Sequence, residues 1–162
     1  MKRTLGLTLL LFATLFSCMR QEKPLPAELS RAESVMWEHP DSALSILRSM
    51  PQSSLSSGKN YATWALLLAQ ARDKVYGKRL PDSLNIPSSD KLVQDAMDYF
   101  EKEGNLKRMA QTYYYKGQLL KDQKKITEAM PFFLKSKEMM TKLDEPLFTY
   151  LICQSLGNTY RY

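Results

Sequence analysis

Apolar residues recur every three or four positions along most of the chain after its first 26 residues, with polar residues between them. In residues 59–76, Trp64, Leu67 and Ala71 fall on one stripe, as expected for the buried side of a helix. The same periodicity predicts an all-α fold of about seven helices joined mostly by short turns. The predicted helices span residues 27–38, 40–50, 59–76, 90–103, 105–121, 126–143 and 146–162.

Prolines and glycines separate these helical segments. Pro40 and Pro146 stand where they can open a helix, and Gly104 stands where a helix can end. The longest interruption, residues 77–89, contains two prolines and is thirteen residues long. A loop of that length is unusual inside a compact domain, so it has a function or is an insertion.

Composition supports helices and argues against an enzyme. The chain has 25 leucines but only seven valines and isoleucines together, so the residues that favour sheets are scarce. Its single histidine, His39, has no second metal-ligating or catalytic partner nearby in sequence, and no phosphate-binding, G-x-S-x-G or H-E-x-x-H motif occurs. The sequence therefore predicts no catalytic residues, no cofactor and no metal site.

The first 17 residues have the pattern of an export signal. Lys2 and Arg3 precede an uncharged stretch at residues 5–16. Twelve residues of helix rise only ~18 Å, which is too short for a ~30 Å hydrocarbon core. We therefore interpret residues 1–17 as a signal peptide rather than a membrane span or a buried helix.

The sequence Leu-Phe-Ser-Cys at residues 15–18 resembles a bacterial lipobox. The resemblance implies that Cys18 is acylated and becomes the mature N-terminus, with residues 18–26 as a tether. The expected location is the cell envelope, with the protein attached to a membrane through the lipid at Cys18. Multiple acyl chains, unlike a single one, hold a protein on a bilayer durably.

Two further expectations follow from removal of the signal. The net charge falls from +6 to +4, because 21 basic residues remain against 17 acidic ones. The remaining charges alternate along residues 121–144, which is typical of a solvated helix face, so no nucleic-acid partner is expected. Cys153 is left without a disulfide partner in an apolar stretch, where we expect a buried, inert thiol.

Small and aromatic residues repeat at a fixed spacing in the C-terminal part of the chain. Ala96 and Ala129 are 33 residues apart, and each precedes a phenylalanine by four residues. A second set matches the helix-turn-helix unit of the tetratricopeptide repeat (TPR), with Lys116, Leu120 and Ser136 departing from the consensus residue types. The residues that carry this resemblance, and that it implies pack the helix pairs, are Tyr113, Gly117, Leu120, Ala129, Phe133, Gly157 and Tyr160.

The TPR resemblance implies an α-solenoid of antiparallel helix pairs. It covers residues 105–162 well, with the last repeat incomplete, and residues 27–104 only as degenerate pairs interrupted by the loop at 77–89. With the lipobox, the chain is similar to TPR lipoproteins of the Bacteroidota, and to the N-terminal sensor-like part of longer TPR regulators. The last predicted helix would expose apolar surface, so the chain is a fragment or that surface meets a partner.

The TPR register also implies a concave groove for a partner protein or peptide. The groove positions selected for their side-chain chemistry are Tyr114, Gln118, Lys121, Gln154, Asn158 and Arg161. The expected function is a lipid-anchored, non-catalytic scaffold for protein or peptide interaction. The alternative is a glycan-binding outer-membrane lipoprotein with TPR helices, in which Trp64 or the run of tyrosines at 113–115 would stack on sugars.

Overall fold

The computed structural model describes residues 24–77 and 89–159, and these residues form helices and turns without any strand. The all-α prediction is confirmed for this part of the chain. A short 3₁₀ helix, Gln52–Leu55, lies in the serine-rich segment between the helices predicted at residues 40–50 and 59–76. The seven α-helices of these described residues are α1 (Ala27–Val35), α2 (Pro40–Ser49), α3 (Gly58–Tyr76), α4 (Ser89–Glu103), α5 (Leu106–Asp122), α6 (Ile126–Lys142) and α7 (Pro146–Thr159).

Local sequence signals set several helix ends. The Ser57 side chain accepts a hydrogen bond from the Asn60 N–H at 3.1 Å at the start of α3. Asn105 does the same for α5, accepting from the Arg108 N–H at 3.0 Å. Gly104 ends α4 with a φ of 76°, a backbone conformation that side chains with a Cβ rarely adopt. These caps explain why short helices stop and restart with so few residues between them.

Helix α4 begins at Ser89, one residue before the start predicted from the sequence. Asp90 therefore lies inside the first turn, where a negative side chain is favoured by the helix dipole. Its carboxylate accepts a hydrogen bond from Lys116 at 2.9 Å, which joins α4 to α5.

The helices pack in a regular order. Each helix contacts the next one along the chain, and α1 also contacts α3, α3 contacts α5, and α5 contacts α7. No such contact joins the even-numbered helices to one another within the described residues. The odd-numbered helices therefore form one layer, and each even-numbered helix lies beside the odd-numbered helices that flank it in sequence.

A continuous apolar core runs through this array. Helix α3 is at its centre, since it contacts α1, α2, α4 and α5 and buries Leu66, Leu67 and Leu68 almost completely. Phe100 of α4 and Phe133 of α6 are the largest fully buried side chains. Burying such a side chain contributes about 1.5–3 kcal/mol relative to leaving it in water.

Two contacts join helices that are far apart in sequence. The guanidinium of Arg108 on α5 donates to both carboxylate oxygens of Glu33 on α1, at 2.8 and 2.7 Å. Just after α1, the ring of Trp37 meets the ring of Phe148 on α7 edge to face, with centroids 6.2 Å apart. The first and last parts of the described array are thus in direct contact.

None of the helices in the described ranges is long and apolar enough to cross a membrane. The predicted signal segment, Cys18, most of the predicted loop at 77–89, and Tyr160 and Arg161 lie outside the described residues. The predictions made for them stay predictions.

Candidate functional site

Gly117 of α5 lies directly against Phe133 of α6. A Cβ at position 117 would be 2.7 Å from Cε1 of the phenylalanine ring, well inside van der Waals contact. Ala129, one turn before Phe133, is fully buried. The Ser136 hydroxyl, further along α6, donates to the backbone carbonyl of Ala110 at 2.6 Å. Small residues on both helices therefore let α5 and α6 approach closely.

Tyr113 and Leu120 are also buried on the side of α5 that meets its neighbours. The Tyr113 ring lies 6.2 Å from the ring of Phe132 on α6, and its hydroxyl donates to Glu101 at 2.7 Å. Burial, followed by the hydrogen bond and negative charge of Glu101, raises the Tyr113 pKa to about 12. Its aromatic ring and hydroxyl are both used within the fold.

The structure corrects the expectation that Tyr114 faces an open groove. Its side chain is only 6% exposed, because the ring packs 5.3 Å from Phe148 of α7 and 5.9 Å from Phe133. Burial raises the Tyr114 pKa, against the opposing effect of hydrogen bonds with Ser155 and Gln118. Helix α7 covers the position that the TPR register assigns to a ligand, so Tyr114 is a core residue.

The other predicted groove residues do not form one open surface. The Gln118 amide nitrogen donates to the Tyr114 hydroxyl at 2.7 Å, and the Lys121 side chain is partly buried. Gln154 and Asn158 are exposed on α7, and Arg161 lies outside the described residues. The aromatic anchor and the polar groups of the predicted groove are thus separated.

The Trp64 indole is also engaged inside the fold. Its Nε1–H donates to the carbonyl oxygen of Leu47 at 2.8 Å, which fixes α3 against α2. Trp37 is 41% exposed, but the ammonium group of Lys74 lies 3.4 Å from the centre of its ring. That cation–π contact covers one face of the Trp37 ring.

Helix α7 repeats the pattern of α5 with an offset of 40 residues. Its buried side carries Phe148, Ile152, Ser155, Leu156 and Thr159, which face the preceding helices. The other side carries Tyr150, Cys153 and Gly157, at the positions equivalent to Ala110, Tyr113 and Gly117. In α5 these three positions are buried, and α6 lies against that side of the helix.

In α7 the equivalent positions are uncovered. Tyr150 is 63% exposed and the Cys153 thiol is exposed. A Cβ built at Gly157 would meet no described atom within 4 Å, where Gly117 meets a phenylalanine ring. The expectations that Cys153 is buried and that Gly157 packs a helix pair are therefore wrong for the described residues. The physical reason is that no described helix lies on this side of α7.

The exposed side of α7 is the candidate site, and we call it the α7 face. It has apolar side chains at one end, a gap at the glycine, and amides beside the gap, and none of its residues is charged. Interface centres are depleted of charged residues in the same way. The α7 face comprises Leu147, Tyr150, Cys153, Gln154, Gly157 and Asn158.

The α7 face is made of uncharged side chains. It carries no carboxylate, histidine or basic side chain beside the Cys153 thiol that could activate it as a nucleophile. Within residues 24–77 and 89–159, no group of three His, Cys, Asp or Glu side chains is placed to hold a metal ion.

The pattern that carries this site is present in the sequence, where the TPR resemblance implies that Gly157 packs a helix pair. The 40-residue offset between Gly117 and Gly157 is visible in the sequence, whereas the lack of a covering helix among the described residues is not. Comparisons with models of protein families, with curated proteins and with solved structures found no match to this chain.

Proposed function

We propose that the protein is a non-catalytic interaction scaffold, anchored in the cell envelope by lipid at Cys18, with a TPR-like array of helix pairs. In this proposal the α7 face binds an amphipathic helix of a partner protein. One observation carries the proposal: the side of α7 equivalent to the α6-covered side of α5 is exposed.

The pattern of contacts between helices supports the TPR-like arrangement. Alternate helices contact each other through α1, α3, α5 and α7, as they would if these were the first helices of successive pairs. The close contact of Gly117 with Phe133 supports the same register, because only glycine leaves room for that ring.

The packing of α6 on α5 indicates the chemistry of the partner helix. That pair places a phenylalanine over the glycine and an alanine one turn before it, at Phe133 and Ala129. A partner helix on α7 would therefore present an aromatic side chain over Gly157 and a small residue one turn earlier. The neutral α7 face favours an apolar contact surface on that helix.

A peptide with the sequence of α6, ITEAMPFFLKSKEMMTK, is a direct probe for this proposal. We expect it to bind the full chain, purified in a mild detergent, and to shift the NMR signals of Tyr150 and Gly157. A matched peptide with alanine in place of the second phenylalanine lacks the ring that fills the gap, so its affinity should fall at least tenfold. Equal binding of the two peptides, or no binding of either, would contradict the proposed binding of a helix to the α7 face.

Variants of the protein give the complementary test. Tyr150→Ala should weaken binding of the α6 peptide by about tenfold or more, since exposed aromatic residues are frequent hot spots. Leu134→Ala is the control, because Leu134 is also a large exposed apolar residue but lies on α6. An equal loss in both variants would show that the peptide binds apolar surface without preference for α7.

Photo-cross-linking in intact envelopes separates this function from glycan binding. A cross-linker at Gln154 should give a protein adduct that disappears in the Tyr150→Ala variant. A carbohydrate adduct would support the glycan-binding alternative instead. The aromatic side chains that the glycan alternative would use are engaged within the fold, since Trp64 donates to the Leu47 carbonyl and the tyrosines at 113–115 are buried, so the protein-interaction role is the one we propose.

A further inference from the structure

A cavity of about 320 Å³ lies where the C-terminal ends of α3 and α5 meet the N-terminal end of α4. Three aspartates line it, Asp73 from α3, Asp90 from α4 and Asp122 from α5, together with Tyr115 and Gln118. It is separate from the α7 face, none of whose residues is among its described lining. Its volume is at the lower end of the range for small-molecule sites.

The negative charge in this cavity is only partly balanced. Asp90 is paired with Lys116 at 2.9 Å. Asp73 is half-buried, and its carboxylate has no hydrogen bond or ion pair within the described residues. Burial raises the Asp73 pKa, and the charge of Asp122 raises it further, against the opposing effects of Lys121 and Lys74. Lys74 is held over the ring of Trp37, with its nitrogen 3.4 Å from the ring centre.

Two uncharged side chains in the cavity wall, Tyr115 and Gln118, also have an oxygen atom without a hydrogen-bond partner among the described residues. Tyr115 is 3% exposed, and its hydroxyl makes no hydrogen bond to any described residue. The Gln118 amide nitrogen donates to the Tyr114 hydroxyl, but the Gln118 carbonyl oxygen is buried without a hydrogen-bond partner in the described part of the chain. The unpaired Gln118 oxygen is fully buried, and buried polar groups are normally paired, so the cavity wall lacks a hydrogen-bond donor at that atom. The Asp73 carboxylate and the Tyr115 hydroxyl are further acceptors in the same lining.

The ends of the helices also favour a positively charged hydrogen-bond donor in the cavity. Both α3 and α5 end at the cavity, and the partial negative charge of a helix C-terminus attracts cations. The N-terminus of α4 has the opposite sign, but Asp90 in its first turn offsets it. The net field inside the cavity thus favours a positive charge.

We propose that this cavity binds a primary ammonium group carried on a short aliphatic chain. The ammonium group donates three hydrogen bonds, and the cavity lining offers acceptors for them in the Asp73 carboxylate, the Tyr115 hydroxyl and the Gln118 carbonyl oxygen. A metal ion fits less well, since no described group of three metal-ligating side chains comes together here. The ammonium group belongs to a free amine or to the lysine side chain of a protein.

Calorimetric titration of the full chain with two probes tests the proposal and separates these sources. Putrescine represents a free amine, and the capped tripeptide acetyl-Gly-Lys-Gly-amide represents a lysine side chain. We expect saturable binding of at least one probe and none of 1,4-butanediol, which has the shape of putrescine without its charge. Tighter binding of putrescine indicates a free amine, and tighter binding of the tripeptide indicates a lysine. No saturable binding of either probe overturns the proposal.

Two variants locate the site. Asp73→Asn removes the unpaired charge and should weaken binding at least tenfold, and Tyr115→Phe removes only the hydroxyl and should weaken it about threefold to tenfold. Asp98→Asn is the matched control, because it removes an exposed charge from the same helix as Asp90 without touching the cavity lining. Circular dichroism at the temperature of the calorimetric titration checks that each variant retains the fold. An equal effect of Asp73→Asn and Asp98→Asn would mean that the amine responds only to net charge, which would also overturn the proposal.

Discussion

The same substitution at Gly117 and at Gly157 should change stability in opposite directions. Both glycines lie inside helices, where replacing glycine by alanine stabilises a helix by about 0.5–1 kcal/mol if nothing else changes. The surroundings differ, because a new Cβ meets the Phe133 ring at 2.7 Å at position 117 and nothing described within 4 Å at position 157. The pair of variants therefore isolates the cost of that one contact.

The magnitude follows from how freely Phe133 can move. Its ring is fully buried, so it cannot swing into solvent to make room for a methyl group. Overpacking of this kind costs roughly 1–3 kcal/mol. After the helix gain is subtracted, we expect Gly117→Ala to lower the free energy of unfolding by up to about 2 kcal/mol. Gly157→Ala should raise it by up to about 1 kcal/mol.

Urea denaturation followed by circular dichroism measures both changes. The slope of the transition should stay constant, so that a shift of the midpoint reports stability alone. Binding of the α6 peptide adds a second reading, because Gly157→Ala fills the gap and should weaken docking while it stabilises the free protein. If Gly117→Ala proves as stable as Gly157→Ala, the close α5–α6 contact described here is wrong.

Three further predictions concern packing, ionisation and anchoring. Replacing the fully buried Ala129 by leucine should destabilise the protein by roughly 1–3 kcal/mol through overpacking, which an unchanged denaturation midpoint would exclude. Because the Tyr113 pKa is raised from 10.0 to about 12 in the folded protein, its contribution to stability is complete below pH 10 and is lost as the pH rises towards 12. Stability curves between pH 9 and pH 11 should therefore fall more steeply in the wild type than in Tyr113→Phe, and parallel curves would contradict the assignment. Cys18→Ala should block maturation and release the protein from membranes, and a mutant that fractionates and migrates like the wild type would disprove the lipobox interpretation.

The helices were predictable because their signals are local. Periodic leucines and alanines mark the buried sides, and Ser57, Asn105 and Gly104 mark ends that the structure places within a residue or two of the prediction. The close contact at Gly117 could also be anticipated, because its partner Phe133 is on the next helix. Information of this kind spans at most one helical hairpin.

The exposure of individual side chains could not be predicted where it depends on which other helix covers that side. The sequence places Tyr114 in a run of three tyrosines, but it does not show that Phe148 of α7 closes over it. It marks Cys153 as part of an apolar stretch, but not that this side of α7 is uncovered. Both errors arise because the local pattern does not show which described helix, if any, lies over a given position. The candidate site therefore emerged only from the assembled fold.

The contacts between the two ends of the array have a mechanical consequence. In a stack held together only by neighbouring helices, a pull on the first helix can detach one pair after another at low force. Here a pull that enters before α1 also loads the paired hydrogen bonds between Glu33 and Arg108 and the ring contact of Trp37 with Phe148. Stretching the chain from its N-terminal side must break links to α5 and α7 before α1 can peel away. Under force, the array should therefore unfold in one large cooperative step and not helix by helix.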